Sequence, residues 1–250
     1  MADDAPPPAL YVSLGDSISI DDYAGGPGRG APGLLFQNRD IDFPEWAGRD
    51  LRSCVPGAAF RPLAWDGATS DTVRDLQITW LQEQEIHPRI VTLTMGGNDL
   101  LQVFGNDTAA QAAYERFLEN GNAILTDLRV LAEPNATILM GTIYDPSDGG
   151  GDPQQLHLIA WPTALAWIRK FNGAIEQLAG KYDATVADIH GAFQGHGASV
   201  GDPEQNDPRP TNRSLFYCGV VEPNAWGAGA IRGLWWDMLV QQGVVTEPRL

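Results

Sequence analysis

Five short apolar runs, each followed by a longer amphipathic stretch, constrain this chain more than any other feature. The runs are ALYVSLG (9–15), AAFRPLAW (58–65), RIVTLTM (89–95), ATILMGTIY (136–144) and ATVADI (184–189), rich in Val, Ile, Leu or aromatics, most of them ending in Gly, Asp or Asn. Between and after them lie helical patterns: FPEWAGRDLRS (43–53), SDTVRDLQITWLQEQE (70–85), 109–132, 162–182 and 225–243. In the second of these, Val73, Leu76, Ile78, Trp80 and Leu81 recur at near-helical spacing. Repeated β-then-α order implies an α/β three-layer sandwich, a central parallel five-stranded sheet with helices on both faces. The 250 residues read as one domain, with residues 1–8 expected to be flexible.

In such a sheet, reactive groups gather in the loops after the carboxyl ends of the strands. Three of these loops carry chemistry. GDSIS sets Ser17 directly after the first strand, where a tight turn exposes its Oγ and its own N–H can face a developing oxyanion. AWDGATS sets Gly67 before a helix, its bare backbone open to a ligand. TMGGNDL brings Gly97 and the Asn98 amide, a side-chain donor, to the end of a buried strand. Singly, each is also an ordinary strand-to-helix turn composition.

Together, in this order and at these strand ends, the three loops resemble those of the SGNH (GDSL-type) hydrolases, and the likeness runs from the first strand to the final helix. The resemblance implies the flavodoxin-like fold of that family. It also implies Ser17 as nucleophile, with its own N–H, Gly67 and Asn98 as oxyanion donors, and Asp16, Gly97, His190 and Asn224 as substrate contacts. The expected reaction is hydrolysis of carboxylic esters with small acyl or acetyl groups, including those on carbohydrate.

The closing segment departs from the pattern. In the family it reads Asp, two residues, His, Pro, Asn; here YCGVVEPN places Gly219 at the Asp position and Glu222 at the His position. An Asp serves there to orient an imidazolium and balance its charge, so a base that is not imidazole has no use for it. Three readings stand open. Glu222 is itself the base; or a histidine of the loop DIHGAFQGHG, His196 before His190, takes the proton while Glu222 orients it; or the scaffold binds a ligand or glycan without turnover. His87 and His157 read as helix-border and surface residues.

The formal charge of −16 opposes phosphate backbones and anionic lipid, so neither a nucleic-acid nor a membrane partner is expected, only a small-molecule ester. No cofactor or metal is implied, and nothing sets an oligomeric state. The opening MADDAPPPAL lacks the pattern of a leader, which points to the cytoplasm, or to secretion if a leader has been removed. Cys54 and Cys218 are expected to be unpaired. GRGAPG (28–33) reads as a loop beside the cleft that opens no helix, DPSDGGGD (145–152) as a solvated turn, and Trp235 and Trp236 as packing residues.

Overall fold

The computed structural model describes residues 9–150 and 159–247, which leaves the expected flexible start and His157 outside the described residues. Strands β1 (Leu10–Leu14), β2 (Ala59–Pro62), β3 (Ile90–Leu93), β4 (Thr137–Gly141) and β5 (Thr185–Ala187) form one parallel sheet in the order β2-β1-β3-β4-β5. Register runs Leu10 against Ala59, Tyr11 against Ile90, Ile90 against Thr137 and Leu139 against Thr185. A two-stranded antiparallel ribbon, β6 (Tyr217–Cys218) and β7 (Glu222–Pro223), stands apart, with Cys218 opposite Glu222.

Alternation along the strands divides the core in two. Val12, Leu14, Val91, Leu93, Ile138 and Met140 face one layer, packed on α6 (Asp107–Leu131) and α7 (Ala164–Lys181) through Phe117, Ile124, Phe171 and Ile175. Tyr11, Ile90, Leu139 and Ala187 face the other, packed on α1 (Ala31–Phe36) and α9 (Ala225–Gln241). There Trp235 and Trp236 are fully buried, as packing residues should be. Strands covered on both faces explain why the runs read as nearly continuous apolar stretches. Among the described residues no helix is long and apolar enough to cross a membrane, and Cys54 and Cys218 are free thiols.

Several local expectations change. The 43–53 stretch is not one helix but a 3-10 turn, Pro44–Trp46, followed by α2 (Leu51–Cys54), because Asp50 starts a new helix by accepting from Ser53 N at 2.8 Å. GRGAPG does open a helix: Asp21 accepts from Gly28 N and Gly30 N, both at 2.8 Å, and α1 follows, with Leu34 and Leu35 buried beneath α9. The 145–150 part of the expected solvated turn is held by two carboxylates, Asp145 buried and Asp148 half-buried. Asp145 accepts from Ser147 N, Ser147 Oγ and Gly149 N, and Asp148 accepts from Gly195 N, Gly197 N and Ser199 N on the neighbouring loop.

The helix at 70–85 hides the most consequential difference. It begins as α3 (Ser70–Thr72), widens into a π turn over Val73–Ile78, and resumes as α4 (Thr79–Glu83). The wider turn shifts the inward face by about one residue. Leu76 is therefore 50% exposed, and Gln77 is 3% exposed in its place. Gln77 accepts from Gly15 N and donates to Gly15 O, both at 2.8 Å, fastening the turn that leaves β1.

Gly15 adopts φ +122°, and a Cβ there would lie 2.0 Å from the Thr94 carbonyl oxygen. Gly67 also has a left-handed φ, +71°, but a Cβ there would meet nothing within 4 Å. Gly15→Ala should therefore destabilise the protein by about 3 kcal/mol or more, and Gly67→Ala by only about 1 kcal/mol. Urea midpoints of the two variants check this; equal shifts would contradict it.

Candidate active site

Ser17 sits at the end of β1, 6% exposed, opening a short 3-10 turn with Ser19. Asp16 caps the turn, its Oδ1 accepting from Ile18 N at 3.2 Å and from Thr94 Oγ1 at 2.8 Å. Thr94 Oγ1 also meets Ser19 Oγ at 2.9 Å. Burial raises the Asp16 carboxyl to about 6, against the opposing pull of the Thr94 bond.

The second and third loops are clasped to each other. The Asn98 side-chain amide donates to Ala68 O at 3.0 Å, which leaves its second N–H for another acceptor. Beneath it, in α5 (Gly97–Leu101), Asp99 accepts from Ser70 N at 2.9 Å and from Ser70 Oγ at 2.5 Å. Asn120 of α6 donates to the same Ser70 Oγ at 2.9 Å. The loop of Gly67 thus cannot move without the loop of Asn98. Among the described residues the N–H groups of Ser17 and Gly67 have no backbone or side-chain acceptor, and both are free to meet a developing charge.

Glu222 closes the arrangement from the β6–β7 ribbon. Gly219 N donates to Gln205 O at 3.0 Å and Val220 N to Pro203 O at 2.8 Å, which holds Val220 at φ +80°. A β-branched residue seldom adopts that conformation, and here it directs the chain into Val221 and Glu222. Tyr144 Oη donates to Val221 O and fixes the next peptide. Burial raises the Glu222 carboxyl to about 7. The Ser17 hydroxyl opposes that rise as a hydrogen-bond donor, while Asp16 and Asp66 add to it. The Ser17–Glu222 pairing is loose, with no short, well-aligned bond, and Glu222 Oε2 is buried with no hydrogen-bond partner. Catalytic hydrogen bonds in empty sites are often long and tighten around substrate.

Ser17, Asp16, Gly97, Asn98 and Glu222 line one cleft of about 880 Å³, its open mouth included. The other expected residues lie elsewhere. His190 begins α8 (Ile189–Phe193), with Nδ1 3.1 Å from Ile143 O and its N–H on Thr142 Oγ1. His196 stacks on Phe216 at 3.8 Å, with Nδ1 2.8 Å from Ser214 O. No hydrogen bond joins either imidazole to Ser17 or Glu222 among the described residues, and neither lines the cleft. Asn224 is wholly buried and spent on structure: it caps α9 by accepting from Trp226 N and Gly227 N, and it donates to Leu215 O and Tyr217 O. The sequence reading missed Tyr144 and the pair Tyr23–Asp66 (Oη to Oδ2, 3.1 Å) around Glu222. It also missed the apolar side of the cleft, whose residues scan as ordinary core.

Comparison with known proteins agrees with this geometry. The GDSL-like Lipase/Acylhydrolase family matches residues 13–228. No curated protein matches the chain. Among solved structures it is similar to LAE5, an alpha/beta hydrolase enzyme from the metagenome of Lake Arreo (18% identity, TM-score 0.61, covering 96% of this chain and 98% of that one). It is similar to a mutant of Axe2, an acetyl-xylooligosaccharide esterase from Geobacillus (16%, 0.63, 98% and 99%). The extracellular lipase of Streptomyces rimosus is a third such structure (18%, 0.59, 91% and 98%). At these identities the structures speak for the fold, whereas the family match spans the three loops, the ribbon and the start of α9. The chain belongs to the GDSL-like lipase/acylhydrolase family, a family of hydrolases with the five-stranded parallel sheet seen here.

Proposed function

We propose that the protein is a serine hydrolase of carboxylic esters in which Glu222 replaces histidine as the base. The observation that carries this is the placement of Glu222 across from Ser17 with its carboxyl raised to about 7. An ordinary glutamate, near 4.3, accepts a proton weakly. At about 7 the same group is a competent base and a competent acid near neutral pH, where proton transfer is best matched in both directions.

Ser17 Oγ attacks the ester carbonyl carbon as its proton passes to Glu222. The carbonyl oxygen becomes an oxyanion that accepts from Ser17 N–H, Gly67 N–H and the free Asn98 N–H. Collapse breaks the bond to the alcohol oxygen, which leaves with the proton held by Glu222, and the acyl group remains on Ser17. Water then attacks the acyl-enzyme, Glu222 taking its proton and returning it to Ser17 Oγ. Every step uses groups of the chain itself. Ester chemistry is also what the names of the acetyl-xylooligosaccharide esterase and the lipase share. A scaffold that only binds its ligand has no use for a serine at a strand exit with its own N–H and the second Asn98 N–H left unspent beside it.

Hydrolysis of p-nitrophenyl esters tests this. Ser17→Ala should fall to the buffer rate and lose fluorophosphonate labelling, and Glu222→Gln should lose roughly a thousandfold in kcat/KM. The acid limb of wild-type kcat/KM should bend near pH 7. Because an unperturbed imidazole bends there too, His196→Ala and His190→Ala supply the contrast and should keep activity within about twofold. A severe loss in either, with Glu222→Gln active, would return the base to histidine. An unlabelled, inactive wild type would leave a binding protein.

Stability gives an independent check. The folded Glu222 carboxyl holds its proton more tightly than an unfolded one, so it destabilises the fold only where it is forced to ionise. The effect is absent below about pH 4.5, grows up to about pH 7 and is complete above it. Glu222→Gln should therefore be more stable than wild type by roughly 2–3 kcal/mol at pH 8 and nearly equal to it at pH 4. Urea midpoints at the two pH values measure the difference.

A further inference from the structure

The cleft is two-natured. Its reactive side chains are Ser17, Asn98 and Glu222, but most of the wall beyond them is hydrocarbon: Leu100 of α5, Phe104, Trp161, and Leu165 and Ile168 from the first turns of α7. This wall is built rather than incidental. Phe104 and Trp161 meet edge to face with centroids 4.8 Å apart. Asp107 Oδ1, at the start of α6, accepts from Trp161 Nε1 at 2.9 Å, Thr163 Oγ1 at 2.5 Å and Trp167 Nε1 at 2.7 Å. Those three bonds pin the approach to α7 against α6 and hold the recess open. Of the two other lining carboxyl and hydroxyl groups there, Asp145 and Ser147 bond each other at 2.7 Å.

The direction of the substrate follows from the proton. If Ser17 cleaves an ester with Glu222 as the base, the alcohol oxygen must lie beside Glu222 to receive its proton. The alcohol group then leads away on the side of Tyr23 and Asp66, which flank Glu222 and are polar. The acyl carbon chain leaves the carbonyl on the opposite side, past Asn98 toward Leu100 and Leu165. An acetyl group would leave nearly all of that apolar wall unfilled.

We propose that this recess is an acyl-chain pocket and that the preferred substrates are esters of linear acyl chains well beyond acetyl in length, with a polar alcohol group. The inference rests on the serine-esterase reading above and replaces the expectation of small or acetyl groups.

A chain-length series tests it: kcat/KM for p-nitrophenyl acetate, butyrate, hexanoate, octanoate and decanoate, each below its aggregation concentration. The expected result is a rise of about fourfold per added methylene that levels off once the recess is full, with octanoate ahead of acetate by about a hundredfold or more. Leu165→Trp, which fills the recess, should cut the octanoate-to-acetate ratio at least about tenfold and move the preferred length downward. An octyl fluorophosphonate should label wild-type Ser17 faster than an ethyl one, a readout that needs no variant to fold. A flat or acetate-preferring series with Ser17-dependent turnover would overturn the acyl pocket and leave the esterase reading standing. A strong chain-length preference that Leu165→Trp leaves untouched would place the chain elsewhere and overturn it as well. Absence of Ser17-dependent turnover on every ester, with no labelling by either phosphonate, would overturn the reading beneath both.

Discussion

The exits of β1 and β3 press together at a single backbone contact, and the site is built on that contact. With no Cβ, Gly15 passes directly over the Thr94 carbonyl, and the Gln77 side chain satisfies both its N–H and its C=O. Without Gln77 the buried Gly15 N–H would be left unpaired at a cost of about 1–3 kcal/mol, whereas its C=O also accepts from Trp65 N at 3.2 Å. The arrangement lets the strand end abruptly with Ser17 at the rim, and it brings Thr94 within reach of Asp16 and Ser19. Placement of Ser17 thus depends on a glycine, a threonine and a glutamine from three separate segments.

Around this turn the protein collects carboxyl groups that it does not neutralise. Asp16, Asp66 and Glu222 lie near one another, and among the described residues no arginine or lysine lowers the carboxyl of Asp16 or Glu222. In a structural role this would be a flaw, since buried carboxylates are ordinarily paired. Here the burial and the mutual repulsion act in one direction and raise the Glu222 carboxyl to about 7. The absence of an Asp at position 219 fits the same electrostatics. A further carboxylate at position 219 would have no imidazolium to balance and would drive Glu222 still further up.

The parts legible in sequence were those whose physics is local. Five strand runs and their Gly- and Asp-rich exits announce a parallel sheet, and the loops holding Ser17, Gly67 and Asn98 follow from strand ends alone. What escaped depended on contacts made across the chain. The π turn cannot be seen in an apolar pattern, so Leu76 read as part of the inward stripe, whereas it is half exposed and Gln77 is buried. His196 looked like a free loop imidazole because its stacking partner, Phe216, lies in a different stretch of the same long loop. The apolar recess takes its wall from α5, Trp161 and α7, each an ordinary core sequence until the fold sets them side by side. Glu222 itself was visible, but its elevated pKa was not, because burial is a property of the whole fold.

The two working halves of the cleft are anchored independently. The proposed oxyanion cradle, the clasped loops of Gly67 and Asn98, is bolted together by Asp99, Ser70 and Asn120 on the α6 side of the sheet. Glu222 hangs from a two-stranded ribbon tied to the 203–205 segment, beyond a strained Val220. Neither anchorage uses an atom of the other. A lineage can therefore exchange one proton acceptor for another at the ribbon without passing through any state in which the cradle is dismantled. Under the proposed chemistry, the fold keeps charge stabilisation constant while leaving proton transfer open to revision.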